Sequence, residues 1–319
     1  MHNFINISKS NFEEKALELF HYQAENNLIY RKYLDVLGIY HLDIKSIEKI
    51  PFLPISFFKT HKIIARDKKE EIKFLSSGTG NMQRSIHYVV DVSIYIKSFI
   101  ASFKYFYGYI EDYCIQALLP SYLENGNSSL IYMINEFIKI SKNKLSGFVS
   151  EKELIDNSKL LKTSKVILIG VSYALLDLAE NQKLNLSNYV VMETGGMKGR
   201  KKEITRLELH SIFKNSFNIK KVHSEYGMTE LLSQAYSQGN GIFKTPPWMK
   251  VSTRPISEPF SIQQNNKSGI IKIIDLANIY SCAFIETADL GKINVDNSFE
   301  ILGRIDFEDI RGCNLMINS

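Results

Sequence analysis

The sequence predicts an α/β fold, a mostly parallel sheet covered by helices with a smaller β-rich portion towards the C-terminus. Three observations predict it. Between Tyr113 and His223, short apolar runs alternate with helical patterns. Strands that are apolar on both faces belong to parallel sheets with both sides covered. From Gly269 the texture changes to short strand patterns separated by turns, as in an antiparallel meander. The chain has 319 residues, 45% of them hydrophobic, enough core for one large domain or two smaller ones.

The elements follow in chain order. Phe12 to Leu37 reads as one helix, with Ala16, Leu17, Phe20, Tyr30, Tyr33, Leu34 and Leu37 on a stripe. Ser10, with Glu13 three residues on, has the pattern of a capping box. Pro54 excludes a regular helix over Pro51–Phe58, so that segment is expected as an extended connection packed on the core. Ile72 to Leu75 and Ser85 to Val90 have strand character, and Asp91 caps a helix through about Tyr107. Strands are then expected at Tyr113–Leu119, Lys165–Ile169, Tyr189–Met192 and Lys220–His223. Helices are expected at Ser129–Ile140, Glu151–Leu161, Tyr173–Glu180 and Glu203–Phe217. The β-rich part should hold strands at Ile270–Ile274, Ser281–Glu286, Lys292–Val295 and Phe299–Leu302.

Composition narrows the function. The formal net charge of +5 suits an anionic small ligand or an acidic partner. Without a basic stripe, finger or helix-turn-helix it does not point to nucleic acid. Cys114, Cys282 and Cys313 are too scattered for a disulfide framework or zinc site, which fits a reducing cytoplasm. No apolar run is long enough for a membrane span, and Met1–Phe4 does not begin a signal peptide.

Four stretches carry candidate chemistry. Ser76-Ser77-Gly78-Thr79-Gly80, followed by Arg84, places hydroxyls, glycines and a guanidinium in one loop between two strands. Successive backbone N–H groups there form an anion-binding concavity, and Arg84 adds a charged donor. A polar hairpin tip would read the same way, and no Gly-Lys-Ser/Thr closes a Walker A loop. Glu193-Thr194-Gly195-Gly196 follows a strand, where ligands of parallel sheets bind; an ordinary turn fits it too. In His223-Ser224-Glu225-Tyr226-Gly227-Met228-Thr229-Glu230, Tyr226 offers a stacking face, Thr229 a phosphate donor and Glu230 a hard-cation ligand. A turn and helix cap is the plainer account. Thr287-Ala288-Asp289-Leu290-Gly291, with Gly303-Arg304, offers a carboxylate for ribose hydroxyls and a second cationic donor, although Asp near Gly is commonly a turn residue.

In this order, the stretches resemble the motifs of the adenylate-forming superfamily. Further likeness lies in Tyr22-Gln23-Ala24-Glu25-Asn26-Asn27, Pro54-Ile55-Ser56-Phe57-Phe58-Lys59, Met192 to Arg200 and Asp309-Ile310-Arg311-Gly312-Cys313. Together they make the chain similar, over nearly its whole length, to LuxE-type acyl-protein synthetases of bacterial fatty-acid reductase systems. The resemblance implies an adenylate-forming large-domain fold that lacks the superfamily's full C-terminal domain. It also implies a single core, with a helical part at 1–62, an α/β core at 63–260, a β-rich part at 261–304 and a tail at 305–319.

The activity implied is ATP- and Mg²⁺-dependent conversion of a carboxylic, fatty acid to an acyl-AMP, then transfer to a thiol. Ser76, Ser77, Gly78, Thr79 and Arg84 would cradle phosphates, and Gly195, Gly196, Tyr226 and Gly227 would line an adenine slot. Thr229 would touch the α-phosphate, Glu230 would hold Mg²⁺, and Asp289 with Arg304 would bind ribose. Cys313 would carry the acyl group towards an acyl-CoA reductase-like protein or an acyl carrier protein. The alternatives are an acyl-CoA or acyl-carrier-protein ligase of the phenylacetate-CoA-ligase type, or a degenerate adenylate-binding subunit.

Departures from the superfamily pattern are specific. Gly80-Asn81 stands where Thr-Gly is usual, and Ala288 stands where glycine precedes the aspartate. The lysine of the superfamily's C-terminal domain has no counterpart; Lys198 and Lys59 are candidates by proximity only. His87 points either into the site or into a strand hydrogen bond.

Overall fold

A computed structural model describes residues 4–77, 83–120, 127–162, 164–195, 204–258 and 261–305. The chain separates into two compact units, Met1–Lys68 with Pro247–Ser319, and Lys69–Pro246. We call them the meander unit and the α/β unit.

The meander unit opens with α1 (Phe12–Asn26) and α2 (Leu28–Val36). The single helix expected here is broken at Asn27, whose backbone is extended (φ −104°, ψ 107°). Asn27 Oδ1 accepts from the N–H groups of Ile29 and Tyr30, both at 3.1 Å, and so caps α2. Its Nδ2 donates to Ser281 O at 3.0 Å. The capping box expected at Ser10 does not form; Asn11 occupies the N-cap position of α1, without a side-chain cap bond. β1 (Leu53–Pro54) and the one-turn α3 (Phe57–Thr60) follow, so the Pro51–Phe58 connection is only partly extended.

The α/β unit starts with the hairpin β2 (Ile72–Leu75) and β3 (Ile86–Val89), paired from Ile72↔Val89 to Leu75↔Ile86. Next come α4 (Val92–Tyr107), capped by Asp91 through Ser93 N at 2.9 Å, and β4 (Cys114–Leu118). α5 (Ser129–Ile140), β5 (Gly147–Phe148), α6 (Glu151–Leu160) and β6 (Val166–Val171) continue the alternation. α7 (Ser172–Asn181), β7 (Tyr189–Thr194), α8 (Arg206–Phe217) and β8 (His223–Tyr226) complete it. β9 (Ala235–Ser237) and β10 (Ile242–Lys244) close the unit. The strand order is β5-β4-β6-β7-β8-β9-β10. β5, β4, β6, β7 and β8 are parallel, and β9 and β10 antiparallel.

Every residue of β4 and β6 is buried, which explains why those strands are apolar without alternation. α4 and α5 join through an aromatic cluster, with Phe99–Phe137 centroids at 5.4 Å and Phe103–Phe137 at 5.1 Å. Burial of each ring contributes roughly 1.5–3 kcal/mol. β8 begins at His223 and not Lys220, so Ser224, Glu225 and Tyr226 lie within the strand.

The meander unit resumes with β11 (Met249–Arg254), β12 (Ser268–Asp275), β13 (Phe284–Ile293) and β14 (Phe299–Arg304), antiparallel in that order. β1 pairs in parallel with β13 at Leu53↔Ile285. Two strands were expected where β13 is one, because Gly291 reads as a turn. It is instead a point of close approach: a Cβ there would lie 2.5 Å from both Glu300 O and Ile271 Cδ1. Gln23 ties α1 to the sheet. Its Nε2 donates to Asn278 O and Ile279 O at 2.7 and 2.9 Å, and its Oε1 accepts from Ala283 N at 2.9 Å. Among the described residues no helix is long and apolar enough to cross a membrane.

Candidate functional site

In the α/β unit the polar residues gather at the carboxyl ends of β7 and β8. These strands pair with Glu193 opposite Ser224 and Thr194 opposite Glu225. Alternation puts Glu193 and Ser224 on one face and Thr194 and Glu225 on the other. On the first face Glu193 is 3% exposed. The Ser172 hydroxyl, at the start of α7, is shared between Glu193 Oε2 at 2.8 Å and Gly195 O at 3.0 Å. Arg206 Nε and His210 Nε2, one turn apart on α8, both lie 3.5 Å from Glu193 Oε1. Burial pushes the Glu193 carboxyl up, but His210, Arg206, Ser224 and Ser172 together outweigh it and hold it below the usual range. Glu193 is therefore an ionised brace, holding β7, α7 and α8 around Gly195. Gly195 is exposed with φ +66°, and open space lies where a Cβ would be.

On the second face the Thr194 hydroxyl donates to Glu225 Oε2. Burial pushes the Glu225 carboxyl up to about 7, against the Thr194 bond and with help from the Glu193 charge. Gly227 follows; a Cβ there would meet Glu225 Oε1, so any side chain at this position displaces the Glu225 carboxylate. Tyr226 is half-buried, its ring edge-on to Phe243 at 5.9 Å. Thr229 is half-buried and Glu230 is buried.

The hairpin reaches the same loop. His87, 1% exposed on β3, lies with Nδ1 2.8 Å from Thr229 O. A carbonyl only accepts, so Nδ1 carries the proton of this bond, which runs from the strand to a turn residue of the candidate site. The base of the hydroxyl-rich loop is closed by Ser85 N donating to Ser76 Oγ at 2.9 Å and Ser76 N donating to Ser85 O at 3.0 Å. Ser77 and Arg84 are exposed on either side. Gly78 and Thr79 lie outside the described residues, as do Gly196, Lys198 and Cys313. Within this unit, then, Ser76, His87 and Thr229 belong to one connected framework, and Gly195 and Tyr226 end adjacent strands.

In the meander unit Asp289 and Arg304 are directly opposite across β13 and β14. Asp289 is half-buried, and its N–H donates to Thr287 Oγ1 at 3.0 Å; Arg304 is exposed. This corrects the expectation that the third cluster forms a turn. It lies inside an antiparallel strand. Lys59 is exposed at the end of α3. Cys114 and Cys282 are core residues, 1% and 0% exposed. Burial pushes the Cys282 thiol up to about 12 and raises that of Cys114.

The residue types suit a nucleoside triphosphate and a hard cation. Gly195 leaves room at a strand end, Tyr226 offers a ring, and Ser76, Ser77 and Arg84 offer donors. No group of three or more metal-ligating side chains occurs among the described residues. A single carboxylate such as Glu230 fits a cation that takes most of its ligands from phosphates and water. Sequence reasoning missed Glu225, Ser172, Arg206 and His210, whose roles arise only when β7, β8, α7 and α8 meet.

A family model described as acyl-protein synthetase, LuxE, matches residues 7–319. The fold is similar to that of ATP-bound MatB from Rhodopseudomonas palustris, at 15% identity and a TM-score of 0.55. That match covers 73% of this chain and 47% of that one. It is also similar to o-succinylbenzoate coenzyme A synthetase (MenE) from Bacillus subtilis in complex with ATP and magnesium ion. There the identity is 14% and the TM-score 0.51, over 73% of this chain and 49% of that one. The chain thus spans about half the length of the solved structures it matches. No curated protein matches it by sequence.

Proposed function

The chain belongs to the LuxE family of acyl-protein synthetases, and we propose that it activates a carboxylic, fatty acid with ATP and passes the acyl group to a thiol. The family match over 7–319 carries this reading. The polar strand ends of the α/β unit, in a fold shared with an ATP-bound structure, support it.

In the first step a carboxylate oxygen bonds to the α-phosphorus of ATP. The bond from that phosphorus to the bridging oxygen breaks, pyrophosphate leaves, and an acyl-AMP remains. Such chemistry is mostly positioning and charge stabilisation. Ser76, Ser77, Gly78, Thr79 and Arg84 bind the leaving phosphates, with His87 bracing the Thr229 loop against their hairpin. Gly195, Gly196, Tyr226 and Gly227 form the adenine slot, and Thr229 donates to the α-phosphate. Glu230 would hold Mg²⁺, which would supply charge neutralisation to the phosphates. Asp289, with Arg304, binds the ribose.

In the second step the Cys313 thiolate attacks the acyl carbonyl, a thioester forms, and AMP departs with the bonding pair. The acyl group then passes to an acyl-CoA reductase-like protein or an acyl carrier protein. Residues 1–319 are taken as a single adenylate-forming core, and Lys59 or Lys198 is the candidate to steady the substrate carboxylate.

ATP–pyrophosphate exchange over a panel of acids tests the reading. Acid-dependent exchange is expected; ATP binding without exchange for any acid would leave only an adenylate-binding subunit. A second reading, release to coenzyme A, is favoured by the coenzyme A synthetase among the similar structures. Cys313→Ser separates the two, because full thioester output to coenzyme A from that variant excludes self-loading.

A further inference from the structure

The meander unit contains a partly open cavity of about 370 Å³ that no step above uses. Its wall is mainly Tyr33, Ile39, Ile50, Pro51, Phe52 and Pro54. Lys272, from the middle of β12, also lines it and is 5% exposed. The Lys272 ammonium sits 4.1 Å from the Phe52 ring centroid. Among the described residues it makes no hydrogen bond and no ion pair.

The neighbouring carboxylate is already engaged. Arg254 grips Glu286 through two bonds, Nε to Oε2 and Nη2 to Oε1, both 2.7 Å. Its Nη1 donates to Pro255 O and Ile256 O at 2.8 and 3.0 Å. Arg254 and Glu286 cancel in charge, as do Glu48 and Lys49 on the exposed rim. The Tyr33 phenol is pushed up to about 12, by burial first, and stays neutral. One positive charge is left over, on a side chain with three donors that lines the cavity.

The Lys272 side chain is buried and lines the cavity, and the Phe52 ring face and the charge of Glu286, its cross-strand neighbour, offset part of its desolvation. The group that complements it is an anion. A dianion such as phosphate would face the Glu286 carboxylate and waste the apolar wall. At about 30 Å³ per non-hydrogen atom, the volume admits roughly a dozen such atoms, within the usual range for small-molecule sites. We propose that this cavity is a binding site for a monocarboxylate with an apolar body, whose carboxylate accepts hydrogen bonds from Lys272 while its hydrocarbon lies against Phe52, Ile50 and Ile39.

None of the residues lining the cavity is assigned to acid activation. Burial lowers the Lys272 ammonium to about 8, against Glu286 and with Arg254. A bound carboxylate favours the charged form, so affinity falls as pH rises through that value. Between pH 7 and pH 9 the charged fraction drops about tenfold.

The test is calorimetric titration of the full chain with octanoate, octanamide and inorganic phosphate, without ATP. Octanoate is expected to bind at least tenfold more tightly than octanamide or phosphate, and about tenfold more weakly at pH 9 than at pH 7. Lys272→Met is expected to lose octanoate binding, and Tyr226→Ala, altered in the proposed adenine slot, to keep it. Absence of octanoate binding to the native chain, equal binding of octanamide, tighter binding of phosphate, or a flat pH response would each overturn the site. So would octanoate binding that survives Lys272→Met and disappears in Tyr226→Ala. Lys272→Arg, which keeps the charge and does not titrate between pH 7 and pH 9, is expected to bind octanoate equally at both pH values; a tenfold fall in that variant would place the binding elsewhere and overturn the site even if Lys272→Met does not fold. Failure of pyrophosphate exchange would leave these outcomes untouched.

Discussion

At the scale of single residues, Glu193 and Glu225 show one side chain taking opposite states a strand apart. Glu193 has His210, Arg206, Ser224 and Ser172 around it and is held ionised; Glu225 has one hydroxyl and is pushed up to about 7. The unfolded chain releases the Glu225 proton near the ordinary carboxylate value, so between there and pH 7 the folded state binds more protons. Stability from Glu225 is therefore present at acid pH and lost as pH rises towards 7, by about 3 kcal/mol at most. Glu225→Gln keeps the Thr194 bond and removes the titration. The variant should match the native chain in thermal unfolding at pH 5 and exceed it by about 1–3 kcal/mol at pH 8; a native chain more stable at pH 8 would disprove the assignment. None of this was legible in His-Ser-Glu-Tyr, which carries no sign that Thr194 and Glu193 lie on the next strand. Lys272 was equally invisible. Within Ile-Ile-Lys-Ile-Ile it reads as an outward-facing strand residue, and its burial comes from Phe52 and Tyr33, more than two hundred residues earlier in the chain.

At the scale of elements, legibility depended on whether the determining contacts were local. The helix at Ser129–Ile140 and the Asp91 cap were readable, because periodicity and capping act within a few residues. The break at Asn27 was not, since the apolar stripe runs on through it and the compensation, a bond to Ser281 O, is remote. Gly291 misled for the same reason: a glycine that admits a neighbouring backbone looks like one that turns. Asn27→Ala removes two cap acceptor bonds and leaves Ser281 O without that donor. A loss of about 2–3 kcal/mol in urea unfolding is expected, the sum of a cap and one buried polar group. A loss below about 0.5 kcal/mol would mean that water replaces the side chain. Asn27→Asp keeps the cap acceptor but sets a carboxylate oxygen against Ser281 O in a buried place, so it should lose at least as much as Asn27→Ala.

At the scale of the whole molecule, the α/β class was legible because buried parallel strands leave long apolar runs. The meander was legible because its strands are consecutive. The candidate stretches were legible as ordered motifs, while the contacts of Glu193 with α8 and of His87 with Thr229 required the fold. The same division bears on the thiol chemistry. A transferable acyl group needs a thiolate, and buried thiols resist ionisation. Cys114 and Cys282 are both buried with thiols shifted upward, so neither is a competent nucleophile at neutral pH. With ATP and a fatty acid, intact mass should rise by one acyl group, reversibly with hydroxylamine. Cys282→Ala and Cys114→Ala should load as much per folded molecule as the native chain, and Cys313→Ser should load less than a tenth as much. Because acyl-adenylate formation precedes transfer, Cys313→Ser should keep its pyrophosphate exchange. If loading and exchange fall together in that variant, Cys313 acts before the thioester forms, and its role as acyl carrier is refuted.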